Sequence, residues 1–384
     1  MSIVKYIGVD DTDLDLFESQ YVLPEGMCYN SYLICDDKIA IMDTVDQRKT
    51  TEWLEKLKNA LNGKTPDYLV VQHMEPDHSG SIAAVLALYP TLTIVASAKA
   101  LQYLQQFNEN ISAKTQTIAD GDTLNLGSAT LKFIAAPMVH WPEVMVTYLE
   151  AEHTLFSADG FGKFGVYNAD ADDWACEARR YYFNICGKYG VQVASLLNKA
   201  AALKIDKICP LHGPILDGEK LTEAIRLYSI WSKYDVETQG GVLVAYASIH
   251  GGTKEAAEKL AEILKAKGAT KVALTDLCRD DMAEAIEDAF RMESMVLAAA
   301  TYDGGLFPPM QFFLHKLAIK GYQRRRVGLI ENGTWAPQAA KIMRTQLEAM
   351  KQIEIVDPVV TIKSRMKQTD NITLDALANA ILKK

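Results

Sequence analysis

The sequence has no apolar run of the roughly 18 residues needed to cross a membrane. It has six cysteines in 384 residues, at 28, 35, 176, 186, 209 and 278, and no Cys-x-x-Cys pair. That spacing gives no support to a zinc ribbon, a thioredoxin-type dithiol or a four-cysteine iron site. The cysteines read as small buried hydrophobes in a reducing compartment. The amino terminus, MSIVKYIGVDDTD, lacks the basic and long apolar regions of a secretory signal, which leads to an expectation of a cytoplasmic protein. Internal repeats and low-complexity tracts are also missing. Positive charge is scarce in the first part. Residues 240–384 hold 20 Lys+Arg and 17 Asp+Glu, or +3, which leaves 20 and 32, or −12, in residues 1–239. An acidic surface of that kind argues against nucleic-acid binding. With 49% hydrophobic and 23% charged residues, the chain has the composition of a globular protein.

The pattern changes character near residue 240. Residues 1–239 mix strand-like and helical stretches irregularly, with strands at 69–72, 91–96, 130–135, 144–149 and 207–210. Helical stretches lie at 81–88, 98–107 and within 173–203. An αβ sandwich with functional loops at strand ends fits this order. After SKYDVETQGG, which reads as a linker, strands and helices alternate strictly from 242 to 382. Such alternation specifies a doubly wound parallel sheet. Two domains are therefore expected, 1–239 and 240–384.

The densest chemistry lies in Gln72-His73-Met74-Glu75-Pro76-Asp77-His78-Ser79-Gly80, directly after an apolar strand. Two imidazoles and two carboxylates within six residues suit a pair of metal ions better than a plain loop, and Pro76 stiffens the segment. His140, Asp159 and His212 each follow an apolar run and stand beside Gly or Pro. Taken singly, His140 or His212 reads equally well as a core histidine. Beside the cluster they read as further ligands. His153 lies in a polar turn and His315 on a helix, and both read as bland.

In the second part, Tyr246–Thr253 (YASIHGGT) joins the first strand to the first helix. Ser248, Ile249, His250, Gly251, Gly252 and Thr253 let backbone N–H groups approach a phosphate at a helix N-terminus. This is neither a dinucleotide fingerprint nor a P-loop, and by itself it is also compatible with a tight turn. Two further loops follow later strands: Thr301-Tyr302-Asp303-Gly304-Gly305, and Asn332-Gly333-Thr334-Trp335. Ligands of such sheets bind at the carboxyl ends of the strands, where strand order reverses.

The first constellation resembles the metallo-β-lactamase fold, whose hydrolases carry His-x-His-x-Asp-His. Here the second histidine is Glu75. His-x-Glu-x-Asp-His followed by distant His, Asp and His resembles the flavodiiron protein family, and a carboxylate in place of imidazole suits iron. LPEGMCYNSYLI at 23–34, Asp43-Thr44 and His140-Trp141-Pro142 match as well. Glu143 stands where the family often has Asp, with no consequence expected for ligation. The resemblance implies an N-terminal metallo-β-lactamase-like αβ/βα sandwich and a C-terminal flavodoxin-like sheet binding FMN. It assigns one iron to His73, Glu75 and His140 and the other to Asp77 and His212. Asp159 bridges them, and His78 varies in role. Trp335 becomes a candidate for stacking on the isoalloxazine. His250, where an aromatic is frequent, and the run Asn332–Trp335 depart from the usual flavin loops.

The activity so implied is reduction of O2 to water, of NO to N2O, or of both. The alternatives are a dizinc hydrolase fused to a flavodoxin-like domain and an electron carrier with a degenerate metal domain. The sequence holds no rubredoxin-like segment, so the resemblance also implies a separate electron donor, rubredoxin, and a head-to-tail homodimer or dimer of dimers. Lys320 and Arg324-Arg325-Arg326 read either as a docking patch for an acidic donor or as a solvated basic turn.

Overall fold

A computed structural model describes residues 2–108, 111–169 and 173–383. The chain divides into two compact units, Met1–Ser229 and Ile230–Lys384.

The first unit contains two six-stranded sheets. One runs in the order Val4–Tyr6, Tyr32–Cys35, Ile39–Met42, Tyr68–Val71, Thr93–Ser97, Lys114–Ile118. The other runs Thr123–Asn125, Thr130–Ala135, Met145–Leu149, Thr154–Phe156, Lys207–Cys209, Leu216–Asp217. Side chains two apart point to one face of a strand. Tyr32 and Ile34, Ala40 and Met42, and Leu131 and Phe133 obey that spacing, and all join one buried core with Val70, Val95, Phe156 and Cys209. The two sheets therefore share a core as an αβ/βα sandwich. The helix Thr50–Leu61 buries Trp53, Leu57 and Leu61, the i, i+4, i+8 stripe of an amphipathic helix.

The second unit is a parallel sheet in the order Lys271–Asp276, Thr238–Ala247, Met292–Tyr302, Arg326–Asn332, then Glu354–Ile355 and Val360–Ile362. Counted along the chain this is 2-1-3-4-5, the flavodoxin-like doubly wound order. Ala256, Ala257, Leu260 and Leu264 of the helix Gly252–Ala266 pack with Val244, Tyr246, Ala298 and Ile330 of the central strands. The last strand is split in two around Pro358, which lacks the N–H a continuous ladder needs.

The basic run at 324–326 is structural. Arg325 is buried and its guanidinium donates to the carbonyl oxygens of Phe290, Met292, Tyr234 and Asp235. Arg326, also buried, donates to Ile381 O at 2.7 Å. Arg324 pairs with Asp235 at 3.3 Å, and Lys320 is buried. Planar guanidinium groups with several donors satisfy carbonyls at strand and helix ends that water cannot reach. The docking-patch expectation fails for that reason. Replacing Arg325 with Ala leaves those carbonyls unpaired. It is expected to cost about 3 kcal/mol, read in urea denaturation as an earlier transition.

Candidate functional site

The metal ligand candidates converge at one edge of the first unit. Tyr68–Val71 delivers His73, Glu75, Asp77 and His78. Thr154–Phe156 delivers Asp159, and Lys207–Cys209 delivers His212. The last two strands are parallel neighbours, with Phe156 opposite Cys209, so their exits are adjacent. Leu211 N donates to Ala158 O at 2.9 Å and holds the two exits together. His140 comes from the connection between Thr130–Ala135 and Met145–Leu149. Half of the His-x-Glu-x-Asp-His segment is not a loop. Pro76–Ser79 forms one helical turn with Pro76 in its first position, where the missing N–H costs nothing.

Two groups of donors form. His73, Glu75, His140 and Asp159 make one, and Asp77, His78 and His212 the other, with the donor atoms of each within 4.8 Å of one another. Asp159 reaches both. Its Oδ2 lies 3.0 Å from His140 Nε2 and 3.4 Å from His73 Nε2. Its Oδ1 lies 3.1 Å from His78 Nε2 and 3.8 Å from His212 Nε2. Asp77 Oδ2 lies 3.2 Å from His212 Nε2 and 3.3 Å from His78 Nε2. His78 is therefore in the cluster on equal terms with the rest.

The donor set fits metal ions. His78 Nε2, His212 Nε2, Asp159 Oδ1 and both Asp77 oxygens are buried without a hydrogen-bond partner. Buried polar groups left unpaired cost free energy, and metal coordination offsets that cost.

Outer partners aim the ligands. His73 Nδ1 lies 2.8 Å from Glu143 Oε1, which also accepts from Met74 N at 3.0 Å. His212 Nδ1 donates to Cys28 O at 2.7 Å. Each such bond turns the Nε2 lone pair toward the centre. Asp43 accepts from Gln72 N at 2.7 Å, Gln72 Nε2 at 2.9 Å and His73 N at 3.3 Å, which fixes the strand exit. Burial pushes the Asp43 carboxyl up to about 6. Thr44 donates through N and Oγ1 to His78 O, which ties down the other end of the cluster. The sequence reading noted Asp43-Thr44 only as flanking and took Glu143 as without consequence. Phe17 and Tyr181, which it missed, stand with their ring centroids each 5.6 Å from that of His212.

Burial disfavours charge on His140, but Asp159 and Glu75 outweigh it and raise the imidazole to about 9. His73 moves the same way, as Asp159, Glu143 and Glu75 overcome its burial. In metal-free protein a raised histidine stabilises the fold fully below its ordinary value of about 6.5 and loses that contribution as pH rises through its folded value. The melting temperature of chelated protein is therefore expected to fall between pH 7 and 10. Bound metal should remove most of that slope.

The second unit brings the three glycine-containing loops around one cavity of about 680 Å³. Ile249, His250, Gly252 and Thr253 line it with Thr301, Tyr302, Asp303, Gly304, Asn332, Gly333, Thr334 and Trp335. Ser248 and Gly251 line an adjoining cavity of about 450 Å³, and Ser248 Oγ accepts from Gly251 N at 3.1 Å. Gly305 lines neither. It pairs with Tyr302 across a two-residue turn, Asp303-Gly304, whose φ values of +48° and +70° are those of a tight hairpin. Thr301 also caps a helix, its Oγ1 accepting from Gln338 N and Ala339 N. Tyr302 and Trp335 are 45% and 82% exposed, so two aromatic faces stand free beside the cavity.

A fourth loop, after Val360–Ile362, escaped the sequence reading because it has no glycine. Ser364 exchanges two hydrogen bonds with the Asn332 side chain, both 3.1 Å, and Ser364 and Arg365 line the cavity. A methyl group on Gly252 would collide with Ser364 O, so the cradle requires glycine there. The helix N-terminus at Gly252 and Thr253, the small residues and the flanking aromatics around this cavity fit a flavin mononucleotide.

The fold joins a metallo-β-lactamase-like sandwich carrying two clustered donor groups to a flavodoxin-like sheet with a loop-lined cavity. A family profile described as ODP family beta lactamase matches residues 27–213. An uncharacterized protein of Methanocaldococcus jannaschii is 29% identical, covering 81% of this chain and 79% of its own. The anaerobic nitric oxide reductase flavorubredoxin of Escherichia coli is 26% identical over 90% of this chain and 74% of its own. The flavodiiron protein of Giardia intestinalis superposes at TM-score 0.94 and 24% identity, covering 99% of this chain and 94% of its own. The rubredoxin oxygen:oxidoreductase of Desulfovibrio gigas does so at 0.92 and 24%, covering 99% and 96%. These matches bear out the resemblance to flavodiiron proteins and the two-part fold. Among the described residues, no helix is long and apolar enough to cross a membrane.

Because Glu143 holds His73, Glu143→Ala is expected to weaken metal binding by about ten- to a hundredfold. Competition with a chelator measures this.

Proposed function

We propose that the chain is an oxidoreductase that reduces O2 to water, NO to N2O, or both, at a diiron centre supplied with electrons by FMN. The observation that carries the reading is Asp159, one buried carboxylate with an oxygen directed at each of two imidazole-rich donor groups. His73, Glu75 and His140 would hold one iron and Asp77, His78 and His212 the other, with Asp159 directing one oxygen toward each group. Ser248–Thr253 would hold the FMN phosphate, and Thr301–Gly304 and Asn332–Trp335 would hold the isoalloxazine. When bound, two ferrous ions and a reduced flavin supply four electrons, enough for one O2, whereas coupling two NO requires two.

The protein's own residues orient and insulate. Glu143 and the Cys28 carbonyl keep His73 and His212 in the tautomer that presents Nε2. Phe17, Tyr29 and Tyr181 pack around His212 and keep bulk water from that side. Glu75, a carboxylate where the hydrolases have imidazole, favours iron over a dizinc site. Electrons come from a separate donor of rubredoxin type, in keeping with the names of the relatives. A cytoplasmic head-to-tail homodimer, alone or as a dimer of dimers, brings the flavin of one chain to the irons of its partner.

Anaerobic stopped-flow mixing of reduced, iron-quantified protein with O2 and with NO tests this reading. Rapid flavin reoxidation by one gas is expected and identifies the preferred substrate. No reaction with either gas at full iron and FMN loading would refute it, and zinc in place of iron would restore the hydrolase. Asp159→Ala should lower iron occupancy and gas consumption together and leave FMN bound.

A further inference from the structure

The flavin cradle has a cationic side chain that the glycine-loop pattern does not include. Arg365 lines the same cavity as Gly252 and Thr253. It is carried by the loop whose Ser364 carbonyl abuts Gly252, the first residue of the helix Gly252–Ala266. Its guanidinium lies 3.8 Å from Glu255, in the first turn of that helix. Arg365 is therefore beside a helix N-terminus, where anions are favoured.

The loop is held in place. Ser364 has a φ of +72°, and Asn332 grips its N and O. Its Oγ lies 2.9 Å from Thr334 Oγ1, in a loop that lines the same cavity. Arg365 N donates to Lys363 O at 3.0 Å, which tightens the turn. The backbone is thus anchored to two other cavity loops, while the guanidinium remains 85% exposed and bound only loosely to Glu255. A long side chain on a fixed base, held by one weak exposed pair, is free to move to a stronger anion. A phosphate dianion offers two oxygens to the planar fork of a guanidinium, a closer match than a single carboxylate at 3.8 Å.

We propose that Arg365 is the cationic clamp of the flavin's phosphate. In this assignment it leaves Glu255 when the nucleotide binds and joins the Ser248–Thr253 backbone in holding the phosphate. The proposal rests on the FMN reading and adds a residue-level basis for choosing FMN over riboflavin, which lacks the phosphate. Because the pair is ionic and near solvent, its contribution should shrink as salt rises.

The test is a fluorescence titration of flavin-stripped full-length protein with FMN and, separately, with riboflavin, for wild type, Arg365→Gln, Arg365→Lys and Lys363→Gln. Lys363 is a neighbouring cation that does not line the cavity. Arg365→Gln is expected to weaken FMN about tenfold at low salt and riboflavin less than twofold. Arg365→Lys should fall between wild type and Gln, and Lys363→Gln should change neither ligand more than twofold. Tenfold weakening of both flavins by Arg365→Gln would overturn the clamp and leave a packing role. An FMN affinity unchanged in Arg365→Gln, or equally weakened in Lys363→Gln, would overturn it as well. Failure of wild-type protein to bind FMN at all would instead refute the cofactor reading, so the two failures are distinguishable.

Discussion

The first unit is organised around one buried carboxylate. A charge in the interior is stable only with partners of opposite sign or with metal. Asp159 has imidazoles on both oxygens, at 3.0 Å and 3.1 Å for the nearest of each group. This arrangement needs strand ends from both sheets at one edge of the sandwich. It also needs the backbone of the His73–His78 segment held firmly in place. Asp43, Thr44 and Glu143 provide that hold: Asp43 and Thr44 through main-chain bonds to the cluster segment, Glu143 through the His73 ring and Met74 N. In metal-free protein the neighbouring carboxylates push His73, His78 and His140 toward imidazolium.

The second unit solves a different problem, the close approach of several backbone loops around one cavity. Its solution depends on the strand order. The 2-1-3-4-5 sheet brings the exits of three strands and of the split last strand to one end, so that four loops meet around a single cavity. Gly252 marks the tightest point, because the Ser364 carbonyl occupies the space a side chain would need. The buried arginines of 325 and 326 serve the same unit from the other direction, by satisfying carbonyls at chain turns and element ends.

Legibility in the sequence followed locality. His73, Glu75, Asp77 and His78 are contiguous, so their density alone announced a site. The alternation after residue 242 announced a parallel sheet, because each strand and helix is long enough to show its period. Glu143 was passed over because its role depends on facing His73, seventy residues away along the chain. Arg325 and Arg326 were misread because a run of charges reads as solvated unless the carbonyls around it are known. Ser364 and Arg365 carried no glycine signature. Short strands such as Val4–Tyr6 have too few residues to display a period.

By itself the sequence determined the class of chemistry: a carboxylate-rich histidine motif for two metals, followed by loops and alternation suited to a flavin. Those properties reside in residue types at short spacing. The tertiary structure alone decided that Asp159 spans both donor groups, that His78 is within the cluster, that Glu143 orients His73, and that Arg365 borders the cavity of the second unit. Each is a contact between segments distant in sequence, and such contacts are set by the packing of sheets and the order of strands, which no local pattern records.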